Sequence, residues 1–460
     1  MNSDAEFSVA SVYAELLSRA PENKMEPRMD PLYRAMELLG EPNKAYPVIH
    51  ITGTNGKTST ARMIESLLQA YGLRTGRYTS PHLVSVTERI VLDGEPVSDE
   101  TFVRIWDEIR PLLVMVDEEL TAAGENKLTY FECVTILALA IFADEPVDVA
   151  VIEVGLGGIT DATNVVDSQV QVVTPIALDH TDLLGDTTYD IALEKAGIIK
   201  PNGYLVSAAQ PVDAAQVLLD AARENDARFA FEPVDFSVTE RTLAVGGQAI
   251  TVRGLAAHYE QVLLPLFGEH QAQNAAVAIA AVEAFFGGEK PLEHELVEEA
   301  FEKVKSPGRL EIIRTAPTII MDAGHNPAGL AASAKAIKES FGFERLVLVV
   351  GILAEKDAAE MLAVLHTEYD ELTEDICLTQ STSPRAIPAG ELGEMALDAG
   401  FAEEDLYLTE RLDDALEWAV SRAEDPESVG GGLGSGILVT GSITVIGEAR
   451  MLLEQREGTA

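Results

Sequence analysis

Short apolar runs alternate with longer amphipathic segments along the first half of the chain. Apolar runs at 48–52, 147–154 and 170–177 each end in a polar or glycine-containing turn, whereas 99–123 and 129–143 carry apolar residues at helical spacing. This alternation of strands and helices predicts a parallel sheet. In such a sheet, ligands bind at the carboxyl ends of the strands.

The same alternation restarts after a Pro-Gly break, so we predict an N-terminal domain over 1–305 and a C-terminal domain over 306–460. Between 204 and 267 the apolar spacing shortens to every second residue, which predicts a small antiparallel annex to the first domain. The C-terminal domain is predicted to be a second doubly wound, Rossmann-like α/β unit. Its predicted strands are 318–322, 345–351, 376–379, 406–408 and 437–440, and its predicted helices are 328–340, 357–370, 389–399 and 411–423. A glycine-rich run at 427–436 precedes its strand instead of following one, so we interpret it as a connector.

The first apolar run leads into Gly-Thr-Asn-Gly-Lys-Thr at 53–58, and a predicted helix follows over 58–70. Gly53 and Gly56 can adopt backbone angles that side chains forbid, so successive N–H groups can converge on a polyphosphate. The helix N-terminus adds a favourable dipole. We therefore interpret this segment as a phosphate-binding loop.

Two side chains of this loop suit a magnesium nucleotide. Lys57 supplies a positive charge for the terminal phosphates, and Thr58 offers a hydroxyl to a magnesium ion. The spacing departs from the usual pattern, because Ile51 stands where a first glycine is expected. A Gly-Lys-Thr triplet also begins ordinary helices, so the strand before it and the helix after it carry the interpretation.

The charge balance restricts the partners. The chain has 76 acidic and 33 basic residues, a formal net charge of −43, which repels nucleic acid and anionic membranes. No long uninterrupted apolar stretch and no basic leader is present, so we expect a cytoplasmic protein. Cys133 and Cys377, the only cysteines, lie in apolar surroundings and are expected to be buried and unpaired. An anionic ligand would have to be attracted by local lysines and arginines.

Three polar residues follow predicted strands and could share one metal ion. Ser80, Glu153 and His180 each stand at a strand end, and magnesium prefers oxygen ligands but accepts an occasional imidazole. Each residue also has an ordinary interpretation, as a solvated acid or a structural histidine. Lys195, on a predicted helix downstream, has the pattern of a surface lysine.

A similar junction occurs in the second domain, where the strand ending at Asp322 runs into a turn that contains His325. Asp322 could hold a nucleotide sugar. Arg309, shortly before, could neutralise phosphate charge if the two domains close, which would exclude water from a reactive intermediate.

Together these motifs resemble the ATP-dependent Mur ligase superfamily, and within it the folylpolyglutamate synthase and dihydrofolate synthase branch. The resemblance covers nearly the whole chain. It rests on the pieces Gly53-Thr-Asn-Gly-Lys-Thr, Thr79-Ser-Pro-His-Leu, Glu88-Arg-Ile, Thr129-Tyr-Phe-Glu, Glu153-Val-Gly-Leu-Gly-Gly, Asp161-Ala-Thr-Asn, Asp179-His-Thr-Asp, Glu194-Lys-Ala-Gly-Ile, His270-Gln with Asn274, Pro307-Gly-Arg, and Asp322-Ala-Gly-His-Asn-Pro. Ser-Pro-His-Leu and Tyr-Phe-Glu point to the folate branch. Three departures stand out: Gly-Lys-Thr-Ser replaces the common Gly-Lys-Gly-Ser, Ile159-Thr160 replaces Arg-Leu, and Ala323-Gly324 reverses the usual order.

The resemblance implies a P-loop Mur-ligase-type domain, a Rossmann-like C-terminal domain and a set of site residues. Ser80, Glu153 and His180 would bind magnesium, and Lys195 would be carbamylated, which would overturn the surface interpretation of this lysine. Phe131 and Asp161 would face the pterin, and His325 would help to orient glutamate. The implied ATP contacts are Thr54, Asn55, Gly56, Lys57, Thr58, Asn274, Arg309 and Asp322.

The implied reaction joins L-glutamate to the carboxylate of dihydropteroate or a reduced folate, by way of an acyl phosphate. ATP and two magnesium ions would be required, Lys57, Glu153, His180 and Lys195 would be catalytic, and the protein would be a monomer. Two alternatives stay open. One is a Mur-type ligase that adds amino acids to a cell-wall nucleotide, and the other is a non-catalytic ATP-gated switch.

Overall fold

A computed structural model describes residues 8–21, 26–373, 375–425 and 434–457. Most of the predicted connector at 427–436 lies outside these residues. The chain forms two compact units. The second unit contains the residues from Lys305 onward and also the segments Arg241–Ile250 and Leu263–Ala272, which were predicted to belong to the first domain.

The first unit contains an eight-stranded sheet in the order β4-β3-β2-β5-β1-β6-β7-β8. Its strands are β1 (Val48–Thr52), β2 (Thr75–Tyr78), β3 (Ile90–Leu92), β4 (Glu95–Pro96), β5 (Val149–Glu153), β6 (Val170–Val173), β7 (Tyr204–Ser207) and β8 (Arg228–Phe231). All neighbours run parallel except β2 with β3 and β3 with β4. Every residue of β1, β5 and β6 is buried, which explains their continuous apolar runs.

The helices predicted over 58–70, 99–123 and 129–143 are confirmed. The described helices of the first half are α1 (Val9–Leu17), α2 (Asp30–Leu38), α3 (Lys57–Ala70), α4 (Asp99–Ala123), α5 (Tyr130–Asp144), α6 (Thr181–Leu184), α7 (Thr188–Ala196) and α8 (Val212–Glu224). Ser98 caps the start of α4 and Gly124, at φ +78°, ends it. Thr129 and Glu132 form a capping box at the start of α5, which is buried on nearly all sides. None of the described helices is long and apolar enough to cross a membrane.

The predicted antiparallel annex is wrong over its first part. Residues 204–231 form β7, α8 and β8, which extend the parallel sheet. Strand β8 lies at the sheet edge and exposes Arg228 and Phe229, so it lacks the continuous apolar run of an inner strand. The annex itself is the three-stranded sheet β9 (Ser237–Ala244), β10 (Gly247–Arg253) and β11 (His258–Leu264), with β10 in the centre.

The second unit has a six-stranded sheet in the order β12-β13-β17-β14-β15-β16, parallel except for β12 with β13. Its strands are β12 (Glu311–Thr315), β13 (Thr318–Asp322), β14 (Arg345–Val350), β15 (Asp375–Leu378), β16 (Leu406–Leu408) and β17 (Ser435–Thr440). The remaining helices of the chain are α9 (Glu269–Phe285), α10 (His294–Glu302), α11 (Pro327–Ser340), α12 (Ala358–Tyr369), α13 (Ala389–Ala399), α14 (Leu412–Glu424) and α15 (Ile443–Glu457). Strand β12 and helices α10 and α15 were not predicted.

Candidate active site

The loop between β1 and α3 is shaped by its two glycines. Gly53 has φ +143° and Gly56 has φ +88°. A Cβ atom on Gly53 would lie 1.9 Å from Thr174 Oγ1, and one on Gly56 would lie 2.5 Å from Asn274 Oδ1. Both positions therefore require glycine, and Asn274 of α9 lies directly against the loop.

Hydrogen bonds tie this loop to the residues that follow β6. The N–H groups of Thr54 and Asn55 donate to Pro175 O at 3.0 and 3.4 Å. Thr54 Oγ1 donates to Ala177 O and accepts from Ala177 N, both at 3.0 Å. Lys57 Nζ donates to the loop carbonyls Gly53 O and Thr54 O at 3.1 Å. The lysine charge is thus held over the loop.

Glu153 and Thr58 place oxygen atoms together at the end of the loop. Thr58 Oγ1 lies 3.0 Å from each carboxylate oxygen of Glu153, and only 2% of Glu153 is exposed. Strand pairing explains the contact, because Glu153 on β5 lies beside Ile51 on the neighbouring β1. A hydroxyl and a carboxylate are ligands that magnesium prefers.

The sheet topology places Ser80, Glu153 and His180 at the same edge. Each follows or ends one of the strands β2, β5 and β6, which run parallel in the same sheet with only β1 between β5 and β6. His180 begins α6 at φ +50°, with its Nε2 3.9 Å from Asp179 Oδ1. No group of three or more His, Cys, Asp and Glu side chains that could hold a metal occurs among the described residues.

Lys195 is buried, so its interpretation as a surface lysine is wrong. It lies on the inner face of α7 with only 3% of its surface exposed. Burial, with the nearby charge of Lys57 as a second cause, lowers its pKa to about 7. One signal in the sequence could have shown this, because Ile191 stands one helical turn earlier on the same face.

Phe131 and Asp161 both support the glycine loop that follows β5. A Cβ atom on Gly155 would lie 2.4 Å from the ring of Phe131, so the ring packs on this glycine. Asp161 is 2% exposed and accepts hydrogen bonds from Leu156 N and Thr163 N at 3.0 Å. Burial raises the pKa of Asp161. Its carboxylate therefore shapes the loop.

In the second unit, three predicted residues gather at the turn after β13. Asp322 accepts hydrogen bonds from Leu310 N and Gly324 N at 3.0 Å. Arg309 Nη1 donates to Ala323 O at 3.2 Å, and His325 Nδ1 lies 2.9 Å from the same oxygen. This carbonyl thus holds the imidazole and the guanidinium close together.

One charged residue of the first unit was not predicted at all. Arg62 lies on α3 one helical turn after Thr58 and interacts electrostatically with Glu153. No pattern in the sequence distinguishes it, because two of the acidic residues near it, Glu88 and Glu153, come from distant parts of the chain.

Comparison with known protein families identifies the class of protein to which this sheet and loop belong. Residues 51–282 match the Mur ligase middle domain, and residues 308–443 match the Mur ligase, glutamate ligase domain. The phosphate loop at the carboxyl edge of the first sheet is therefore that of a Mur ligase, and the predicted two-domain α/β fold is confirmed.

Proteins that resemble this chain over nearly its full length identify the branch of the superfamily. A dihydrofolate synthase/folylpolyglutamate synthase of Mycobacterium tuberculosis is 43% identical over 97% of this chain and 94% of that protein. A structure of Mycobacterium tuberculosis folylpolyglutamate synthase complexed with ADP is 42% identical, with a TM-score of 0.91 over 96% of this chain and 98% of that one. An Escherichia coli FolC structure in complex with DHPP and ADP is 28% identical, with a TM-score of 0.82 over 99% of this chain and 100% of that one. The chain belongs to the dihydrofolate synthase/folylpolyglutamate synthase family.

Proposed function

We propose that this protein is an ADP-forming ligase that joins the amino group of L-glutamate to the carboxylate of dihydropteroate or a reduced folate. The observation that carries the proposal is the hydroxyl–carboxylate pair of Thr58 and Glu153 beside a lysine-bearing phosphate loop. Membership of the family supports the choice of acid and amine. The E. coli structure, described in complex with DHPP and ADP, supports a nucleotide site beside that of a second small molecule.

The chemistry requires activation, because a carboxylate is a poor electrophile. A carboxylate oxygen attacks the terminal phosphorus of ATP, the bond to ADP breaks, and an acyl phosphate forms. The glutamate amine then attacks the acyl carbon, phosphate leaves, and the nitrogen loses a proton as the amide forms. Lys57 and the N-terminus of α3 neutralise the phosphoryl charge in the first step.

Magnesium fits the donor set of the first unit. Thr58 and Glu153 supply hard oxygen ligands in contact with each other, and Ser80 and His180 stand at the same sheet edge. We assign Ser80, Glu153 and His180 as the residues that would hold magnesium, with Thr58 beside them. When bound, the ion neutralises charge on the phosphate oxygens.

Lys195 is suited to carbamylation. An amine with a pKa near 7 is largely neutral at slightly alkaline pH, and the neutral nitrogen can attack carbon dioxide and lose one proton to give a carbamate. The product carries a negative charge in place of a positive one. Growth of a carbonyl signal after addition of 13C-labelled bicarbonate, seen by NMR in the wild-type protein and absent in Lys195→Ala, would support the modification. A wild-type spectrum identical to that of Lys195→Ala would refute it.

We assign the remaining site residues the roles that membership of the family implies. Phe131 and Asp161 shape the loop against which the pterin would bind, and His325 would orient glutamate. Asn274, Arg309 and Asp322 would contact ATP, and the position of Asn274 against Gly56 supports its role.

One assay tests the function. ADP release is measured with dihydropteroate or tetrahydrofolate, each with and without L-glutamate, and the product is identified by mass spectrometry. We expect ADP and a glutamyl adduct only when both substrates are present. ADP release that responds to a UDP-sugar peptide, and not to a pteridine acid, would instead indicate a cell-wall ligase. Nucleotide binding without ADP release for any acid would indicate a switch.

A further inference from the structure

Arg62 occupies an unusual position on the helix that follows the phosphate loop. Its neighbours Ala61, Met63 and Ile64 are buried, whereas Arg62 keeps partial contact with solvent, as Thr58 does one turn earlier. The guanidinium therefore lies on the same face of α3 as the hydroxyl that contacts Glu153.

Three carboxylates lie near Arg62, but each has other partners. Glu65 Oε2 accepts from Arg77 Nε at 2.6 Å, and Glu153 accepts from Thr58 Oγ1 at 3.0 Å. Glu88 accepts from three consecutive N–H groups in the loop after Ser80, those of Leu83, Val84 and Ser85. All three carboxylates interact with Arg62 electrostatically. Within the described part of the chain, however, Arg62 forms neither a hydrogen bond nor an ion pair.

A largely buried cation without a hydrogen-bonded partner is costly. Burial, followed by repulsion from Arg77, lowers the pKa of Arg62 to about 9, so the side chain is still charged at neutral pH. A planar guanidinium with open donors presents a fork that matches a carboxylate in two parallel hydrogen bonds. The guanidinium of Arg62 thus has hydrogen-bond donors available for an anionic ligand group.

We propose that Arg62 binds the carboxylate of the acid substrate, the group that ATP activates. This inference rests on the proposed function and adds a specific residue to it. The polyphosphate already has Lys57 and the N-terminus of α3, whereas Arg62 stands about 7.5 Å farther along the helix than Lys57. There it interacts electrostatically with Glu153 and with Glu88, which follows Ser80 in the chain.

The test compares two ligands that differ only in charge. Binding of dihydropteroate and of its carboxamide is measured by calorimetry on wild-type protein, Arg62→Gln and Arg62→Lys. We expect the wild-type protein to prefer the acid by about ten- to a hundredfold, and Arg62→Gln to lose that preference. Arg62→Lys should retain part of this preference for the acid over the carboxamide. The KM for ATP should stay within about twofold in both variants, because a uniform loss of nucleotide binding is not expected.

Arg104→Gln is the matched control. Arg104 lies on α4 in contact with Asp144 at the surface, and its replacement removes the same charge away from the loop. If Arg62 only balances the charge of Glu153, Arg62→Gln will weaken ATP and acid alike, and the proposal is wrong. An unchanged preference for the acid in Arg62→Gln would also overturn it. If the wild-type protein forms no ADP with any pteridine acid, the proposed function fails and takes this assignment with it. Failure of the Arg62 assignment alone leaves wild-type turnover intact.

Discussion

His50 should make the first unit sensitive to acid. It lies in the centre of β1 with no exposed surface, and its Nε2 is 2.9 Å from Thr163 Oγ1. Its Nδ1 has no hydrogen-bond partner among the described residues. Burial, with a smaller contribution from Lys200, lowers the pKa of His50 from 6.5 to about 3. The folded protein therefore keeps this imidazole neutral at every pH at which it is normally handled.

The size of the effect follows from the two pKa values. The unfolded chain takes up a proton near pH 6.5 and the folded chain does not, so stability is complete above pH 6.5 and falls as the pH drops towards 3. At pH 5 the loss should be about 2 kcal/mol relative to pH 8, since each pH unit below the unfolded pKa costs about 1.4 kcal/mol. This loss of about 2 kcal/mol requires only that the pKa of His50 in the folded protein lies well below 5.

Urea unfolding at pH 8 and at pH 5 measures this loss. The chain has two tryptophans, Trp106 in the first unit and Trp418 in the second, so a Trp418→Phe background makes Trp106 the reporter. We expect the stability of the parent to fall by about 2 kcal/mol more than that of His50→Gln over this range. The exposed His294 provides the control, since His294→Gln should keep the parent's pH dependence. Equal pH dependence in the parent and in His50→Gln would refute the reasoning.

Three further substitutions test the site and its support. Lys57→Ala should abolish ADP formation because it removes the loop cation, while the melting temperature stays near that of the wild type; normal turnover would exclude the assigned role. Gly155→Ala should cost about 1–3 kcal/mol in urea unfolding and raise the KM for the pteridine acid, because the new methyl group would meet the ring of Phe131; an unchanged KM would show that this ring does not shape the acid site. Glu65→Gln should lower unfolding stability by about 3–5 kcal/mol, because it leaves the buried guanidinium of Arg77 without its charged partner, and a loss below 1 kcal/mol would contradict this.

Elements with strong local signals were predictable from the sequence. Helix α4 was predicted over its full length from its apolar spacing, and in the structure Ser98 and Gly124 mark its two ends. Edge strands were harder, since β8 has one buried residue and β12 has none, so neither shows a continuous apolar run. Their assignment depends on the strand that each one pairs with, which is a tertiary property.

The phosphate loop was predictable for a similar reason, because its chemistry lies within a few consecutive residues. The burial of Lys195 was not recognised, although its spacing from Ile191 already indicated an inner helix face. Arg62 could not have been singled out, since the carboxylates that surround it are separated along the chain and meet only in the folded first unit. Sequence patterns identify a site whose residues are close together in the chain. A residue such as Arg62, which stands out only because it has no hydrogen-bonded partner among the residues that the structure describes, is identified only in the structure.

The net charge of −43 gives the buried cations of the first unit a particular importance. An acidic surface repels ATP and folates, but at physiological ionic strength that repulsion is screened beyond about 8 Å. Arg77 is buried and Arg62 largely so, and charges out of solvent are screened much less. Substrate anions therefore experience attraction only at close range, from side chains whose number and position are fixed by packing. This separation of ranges explains how a strongly acidic protein can bind anionic substrates through a handful of cations.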